Sequence, residues 1–434
     1  VAKLTVPRWH RFLVHPLKPD PKALGYAWDM PSSDFSALLS NRPYVRFWLT
    51  RLTSVTASQM LMVAIAWHMY DITSSAWDLG LVGLFQFVPA LLLTLPAGHV
   101  ADRHHRGRIL SLCLFLQFAI ALLLMAASHW LFATRALMLG ISVMLGIARA
   151  FQMPAQQSLL PLLVPQSLLQ RAIAMGSSGM QIAIICGPAL GGLLYVYGPS
   201  TVYATAAALL LVAITFALGI RYVHQPVAMA ASWESVVAGL NFVWHRKTVL
   251  GATTLDLFAV LLGGATALLP IYARDILHTG PVGLGLLRAA PAVGSLMASV
   301  ALLRWPLRRY VGPKLLGAVG VFGLATVVFG LSHSFVVSLL ALIVTGAADS
   351  ISVVVRSTLI QLETPNDMRG RVSAVNSIFI GASNQLGEFE SGATADAFGA
   401  VGSVVFGGIG TLLIAASWFK LFPALAQRDR MEKA

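Results

Sequence analysis

The apolar residues of this 434-residue chain gather into about twelve runs of roughly 18 to 25 residues, each long enough to cross about 30 Å of hydrocarbon as a helix. The runs lie near 44–70, 78–101, 108–128, 134–158, 170–196, 200–222, 248–274, 281–304, 312–331, 335–360, 371–397 and 400–422. Only 11% of the residues are charged and 57% are hydrophobic. Soluble domains are about a quarter charged, so a water-soluble core has no way to absorb this much apolar surface. The pattern predicts an all-α polytopic membrane protein.

Cytoplasmic loops retain Lys and Arg, and that bias predicts the orientation. With both termini inside, most of the 30 basic residues share the cytoplasmic face. Lys3, Arg8, Arg11, Lys18, Lys22 and Arg42 lie in the tail, Arg103, Arg106 and Arg108 in the second loop, and Arg304, Arg308 and Arg309 in the eighth. Arg135 and Arg274 fall outside, while Arg46, Arg51, Arg149, Arg288 and Arg356 lie within spans. The net charge of +13 then reflects topology and attraction to anionic lipid. Spread over many short loops, it does not describe a nucleic-acid surface. Cys113 and Cys186 both lie inside apolar runs, so no disulfide framework is implied. Residues 1–43 carry charge and proline without a long apolar core, which reads as a cytoplasmic arm and not a signal peptide.

An internal repeat runs at an offset of 200 residues. Gly146 matches Gly346, Ala148 Ala348, Pro165 Pro365, Arg171 Arg371, Gly187 Gly387 and Gly192 Gly392. Pro, Arg and Gly pairs held in one register point to two parallel six-helix halves about an axis along the membrane normal. The expected division is a tail at 1–43, bundles at 44–222 and 248–422, a linker with a surface helix at 223–247, and a tail at 423–434. Arg149 corresponds to Asp349 in this register, which sets opposite charges across the axis. GPALGG at 187–192 corresponds to GEFESG at 387–392, so Pro188 is replaced by Glu388 and Leu190 by Glu390.

Ionisable residues inside spans cost about 2.5–3.5 kcal/mol each at a helix centre and are functional candidates by default. Arg51, Arg149, Asp256, Asp349, Arg356, Glu388 and Glu390, with the polar Gln59, form the candidate cavity and coupling set. Arg288 and Asp396 fall nearer the outer interface. Pairing that merely holds helices together is the structural alternative. Gly187, Pro188, Gly191 and Gly192 suit a bend and close helix packing. Between the second and third spans, GHVADRHHRGR places Asp102 among Arg103, Arg106 and Arg108, four residues after Gly98. One carboxylate among fixed cations suits a conformational latch between moving helices. His99, His104 and His105 beside it lack further metal-binding partners and read as solvated. No phosphate-binding GKS/GKT loop or HExxH is present, so neither ATP-driven transport nor zinc proteolysis is supported.

GHVADRHHRGR resembles the loop 2–3 signature of the major facilitator superfamily, and GPALGG resembles the fifth-helix antiporter signature of its exporters. RLTSVTASQM at 51–60, GIARAFQMPAQQSLLPLLVP at 146–165 and RGRVSAVNSIFIGASNQLGEFESG at 369–392 are similar to the enterobactin-exporter-like branch. The resemblance spans about residues 42–422. It implies two pseudo-symmetric bundles and a rocker-switch exporter, generally driven by proton antiport, with no cofactor or metal and with a monomer as the simplest state. It also implies a bacterial inner-membrane location and a siderophore or drug-like substrate. Asp102 would then meet the start of the eleventh helix. The chain departs from its relatives in carrying Ser58 where a first-span acid is frequent. The usual fourth-span arginine falls at Ser142, with Arg149 two turns later, which shifts proton coupling toward Asp349, Glu388 and Glu390. A transporter-like sensor that binds ligand without flux is the alternative reading; an enzyme lacks any nucleophile–base pair.

Overall fold

In a computed structural model, residues 32–222, 233–307, 309–366 and 368–430 are described. Most of the N-terminal arm, Arg308 and the side chain of Asp102 lie outside the described set. Among the described residues, eleven helices are long and apolar enough to cross a membrane. We label the spans α1 (Arg42–Thr73), α2 (Ala76–Arg103), α3 (Arg106–His129), α4 (Arg135–Leu163), α5 (Leu169–Tyr195), α6 (Pro199–Leu218) and α7, which begins as Lys247–Gly263. The second half continues with α8 (Gly280–Arg304), α9 (Val311–Leu331) and α10 (Phe335–Glu363).

The last run, Arg369–Leu421, breaks at Gly399, where φ is 75° and ψ 161°. The chain doubles back there. Ser403 Oγ donates to the Ser391 carbonyl at 3.1 Å and lies 2.7 Å from Thr394 Oγ1, whereas twelve residues of straight helix would hold Ser391 and Ser403 about 18 Å apart. Glycine alone takes this backbone conformation without steric cost. The break yields α11 (369–398) and α12 (400–421), and with them twelve spans.

Helix starts follow from local chemistry. Asn41, Ser75 and Thr134 each accept a hydrogen bond from a backbone N–H three residues on, which opens α1, α2 and α4. The seventh span is discontinuous: Gly264 leaves helical geometry, a 3-10 turn follows at Ala265–Leu268, and Tyr272–Ile276 is π-helical. The Gly264 carbonyl freed by this break accepts from Ser391 Oγ at 2.9 Å. Apolar periodicity does not register such a break, and the sequence reading takes 248–274 as one plain span.

In the first half α1 packs on α5 and α6, α2 on α4, and α3 on α4 and α6. In the second, α8 packs on α10, α9 on α10, and the α11–α12 pair on α7 and α9. The repeat reappears as geometry. A Cβ at Gly146 would collide with the Gln86 carbonyl of α2, and one at Gly346 with the Pro291 carbonyl of α8. Between the halves, Gly192 of α5 abuts Pro281 and Gly285 of α8, and Gly392 of α11 abuts Ala76 and Gly80 of α2. Two equivalent seams, α5–α8 and α2–α11, therefore join the halves.

Two peripheral segments brace the end that carries loop 2–3. Ser32–Ser40, within the stretch read as a tail, is helical, and Leu38 is buried with Tyr44, Val164 and Ala172. The linker helix Trp233–His245 packs against α11 and α7, with Gly239 against the Arg371 backbone. After α12 the chain returns to cap α9: Asp429 and Arg428 accept from the Val311 and Gly312 N–H groups at 3.3 and 2.9 Å, and Arg428 pairs with Glu363 at 3.0 Å.

Gly146→Val and Gly346→Val are each expected to destabilise the protein by about 1–3 kcal/mol through overpacking. Gly140→Val and Gly320→Val, whose added Cβ meets nothing within 4 Å, should change stability by less than about 0.5 kcal/mol. Thermal unfolding in detergent distinguishes the two sets.

Candidate transport site between the halves

At the end opposite loop 2–3, polar contacts tie the halves together. Arg274, in the π-helical stretch after α7, pairs with Asp71 near the end of α1 at 2.7 Å and lies 5.5 Å over the Tyr70 ring. The Tyr70 hydroxyl donates to Asp275, and Tyr195 of α5 donates to Asp71 at 3.4 Å. Trp77 of α2 meets Phe389 of α11 edge to face. Together with the glycine seams, these contacts close this end. Sequence reasoning places Arg274 in an outer loop but omits Tyr70, Asp71 and Asp275; the only available signal is an acid at the end of each of two apolar runs.

The midplane carries charge. Arg149 lies halfway along α4 and is exposed. Glu388 of α11 interacts electrostatically with both Arg149 and Arg288, so Arg149 faces the opposite half rather than lipid. Gln181 of α5 donates to the Ala292 carbonyl of α8 at 2.7 Å beside this group. Arg149 and Asp349 match in the repeat, but the acid that interacts electrostatically with Arg149 is Glu388. The physical reason is that the repeat sets residues 149 and 349 at equivalent places in two bundles, and α11 is the second-half helix seated against the first half. Glu390, two residues further on, is turned about 200° round the helix from Glu388 and points away from it.

Asp349 lines a small cavity within the second half, with Asp256, Ala259 and Val260 of α7, Val319 and Phe322 of α9, and Ala348 and Ser352 of α10. Asp256 forms a buried ion pair with Arg356. Among the described residues no ion pair or hydrogen bond involves the Asp349 carboxylate. The first half has a neutral counterpart that the sequence reading misses. Gln117 donates to Gln152 at 2.5 Å, and Ser58 donates to Gln117 at 3.3 Å, joining α1, α3 and α4.

Arg51 lies beside Gly176, and the Gln59 side chain rests on Gly187, so both sit at the α1–α5 contact. Gly191 meets the Met60 backbone, and Pro188 lies inside α5, with its carbonyl against Gly285.

A family model for transmembrane secretion effectors matches residues 32–433. The chain belongs to this family of major facilitator transporters. It is 28% identical over 379 residues to the multidrug efflux pump Tap of Mycobacterium tuberculosis (strain ATCC 25618 / H37Rv), covering 83% of this chain and 89% of that protein. It is 26% identical over 392 residues to the enterobactin exporter EntS of Citrobacter koseri, covering 87% and 88% respectively. The fold matches a bacterial homologue of the lysosomal transporter Spinster, in an inward-facing and unoccupied conformation. There the TM-score is 0.70 at 17% identity, over 91% of this chain and 99% of that one. The chain is thus a multi-pass membrane transporter of the efflux type, not an enzyme.

The family's loop 2–3 is partly structural in this transporter. Arg106 is buried, and its guanidinium donates to the Ala101 carbonyl at 3.3 Å and to the Ser158 carbonyl at 3.1 Å, joining the end of α2 to α4. His105 stacks on Tyr222 with centroids 4.6 Å apart, and His104 hydrogen-bonds the Val100 carbonyl. The sequence reading has these histidines solvated; His104 is exposed, whereas His105 is partly buried against Tyr222. Arg103 and Arg108 are exposed, and Gly98 has open space around its α-carbon.

Removing one partner of the Asp256–Arg356 pair leaves the other charge buried alone, at a cost of about 3–5 kcal/mol. Arg356→Ala and Asp256→Ala should each lower stability by that order, and the double variant should recover a large share. A double-mutant cycle on thermal unfolding measures the recovery.

Proposed function

We propose that this transporter exports a small amphipathic molecule, siderophore or drug-like, by proton-coupled alternating access across a bacterial inner membrane. Both termini and loop 2–3 then face the cytoplasm, as the basic residues require, and the far-end contacts form the outer gate. The observation that carries the reading is charge shared between the halves inside the spans, Glu388 of one half interacting with Arg149 of the other, beneath a closed far end. Ionised groups at that depth suit a watered cavity better than helix packing. Relatives that are a multidrug efflux pump and a siderophore exporter support the direction and the cargo size. One chain supplies both bundles and the space between them, so a monomer suffices.

Asp349 is the proposed proton carrier. It is a mid-span carboxylate without a described counter-charge, so a proton satisfies it where a fixed cation does not. Asp102 is the proposed inner latch. At the end of α2, it would accept from the free N–H groups that begin α11 when the cytoplasmic side closes. Arg106 holds the loop in place for it.

Inverted vesicles loaded with a panel of amphipathic compounds and given a pH gradient test the reading. Accumulation should stop when the gradient is collapsed; accumulation driven only by sodium would refute the proton link. Asp349→Asn should leave binding intact and abolish gradient-driven accumulation. Asp102→Asn should abolish turnover while the protein remains in the membrane, and full activity in that variant would remove the latch.

A further inference from the structure

The linker helix Trp233–His245 has more apolar surface than its seat on the second half uses. Gly239 and Val243 form the seated side. A Cβ added at Gly239 would lie 2.7 Å from the Arg371 carbonyl oxygen, and Val243 is buried with Val249, Ile360, Val372 and Val375. Val237, Leu240 and Trp244 are exposed, at 58%, 43% and 68% of their surface. With 3.6 residues per turn, these three fall within about 60° of one another, on a stripe centred about 110° round the helix from the seated pair. A helix face meant for water carries polar side chains, whereas a contiguous exposed apolar stripe marks a contact.

Four exposed cations gather at the same helix. Arg246 and Lys247 follow it directly, with the Arg246 guanidinium 5.7 Å from the centre of the Phe242 ring. Arg369 and Arg371 open α11 beside Met368 and Val372, which pack with Phe242, Val243 and Val249. Glu363, at the end of α10, is taken by Arg428 at 3.0 Å. Glu234 and Asp367, whose side chains lie outside the described residues, are the other acids of these two stretches, and counting both still leaves an excess of two positive charges.

We propose that the linker helix and the start of α11 form a binding site for an anionic phospholipid. Its acyl chains lie along Val237, Leu240 and Trp244, and its phosphate meets Arg246, Lys247, Arg369 and Arg371. Stripe and cations together call for a partner that is both apolar and anionic. A soluble anion would leave the stripe in water, and a second copy of this chain would bring the same cations against these. Tryptophan suits the boundary between headgroup and hydrocarbon, and guanidinium groups match phosphate oxygens in pairs. The proposed orientation sets this lipid in the cytoplasmic leaflet; the site itself does not depend on that orientation.

Brominated acyl chains quench tryptophan on contact, which gives a local readout at Trp244. The full chain and its Trp244→Phe variant are placed in nanodiscs of mixed phosphatidylglycerol and phosphatidylcholine, with bromine on one lipid or the other. The difference between the two proteins isolates residue 244. Phosphatidylglycerol is expected to quench it at about a tenfold smaller share of the lipid than phosphatidylcholine requires. Arg246→Gln with Lys247→Gln, or Arg369→Gln with Arg371→Gln, should each reduce that preference by at least about fivefold, which is the change that about 1 kcal/mol per basic residue near an anionic surface produces. Each variant is compared with its own Trp244→Phe counterpart, and unchanged quenching of the other nine tryptophans shows that it is folded and inserted. Arg304→Gln with Arg309→Gln, between α8 and α9, should leave the preference intact, which separates a site from general surface charge. Equal quenching by the two lipids, a preference that survives both cation pairs, or equal loss in the Arg304 and Arg309 variant would overturn the proposal. So would a Trp244 signal that neither lipid quenches, since water or a second copy would then cover the stripe.

Discussion

Backbone meeting backbone at two equivalent places is the contact on which the rest of this transporter depends. Lipid gives no hydrophobic reward for bringing two helices together, so association in a membrane rests on close packing and on polar contacts. Gly192 against Gly285, and Gly392 against Gly80, remove the side chains that would hold the halves apart. Each seam joins one helix of either bundle. The pair of seams defines the axis about which the bundles relate, and both lie nearer the far end than the loop 2–3 end. Everything polar at the centre is positioned by that asymmetry.

The charged residues inside the bilayer divide by partner. Asp256 and Arg356 belong to one bundle, are buried together, and move with it as a unit. Arg149, Arg288 and Glu388 draw on both bundles, so any rotation of one half against the other changes their separations. Under the proposed alternating access, charges that change partners would lie across that boundary, as Arg149 and Glu388 do. Asp349 lies off that boundary, in a cavity of the second bundle beside the fixed pair. Under the proposed proton coupling, a proton taken up there would alter the charge of one bundle without competing for the space between them.

Much of the fold is legible in the sequence, because a chain in lipid must satisfy its backbone internally and long apolar runs have one regular way to do so. The span count follows from that constraint, and the repeat is legible because Gly146, Gly346, Gly192 and Gly392 mark backbone contacts that tolerate no side chain. The turn between the last two spans is legible as well: the runs 371–397 and 400–422 leave a gap at 398–399, and Gly399 takes the turn. The site is legible as a list of costly residues but not as a set of partners. Arg149 reads as the counterpart of Asp349 along the chain, yet repeat-equivalent positions do not face each other, and the acid that reaches it is set by which helix crosses the seam. Tyr70, Asp71 and Asp275 escape notice because acids at helix ends are inexpensive there and so carry little signal.

That low cost suits the gate. Asp71 and Arg274 are partly exposed, at 36% and 40% of their side-chain surface, and pairs in such settings contribute about 0.2–1 kcal/mol. The neighbouring tyrosine contacts add terms of similar size, so the far end is held by a few weak interactions beside the glycine seams. A bound molecule shifts a two-state equilibrium only by the difference in its affinity for the two states. Differences of a few kcal/mol are within reach of a small ligand, whereas breaking a buried pair such as Asp256–Arg356 would cost about 3–5 kcal/mol before anything was gained. The strong pair accordingly lies inside one bundle. The weak ones lie at the boundary between the bundles, where a small difference in ligand affinity for the two states is enough to decide whether they hold.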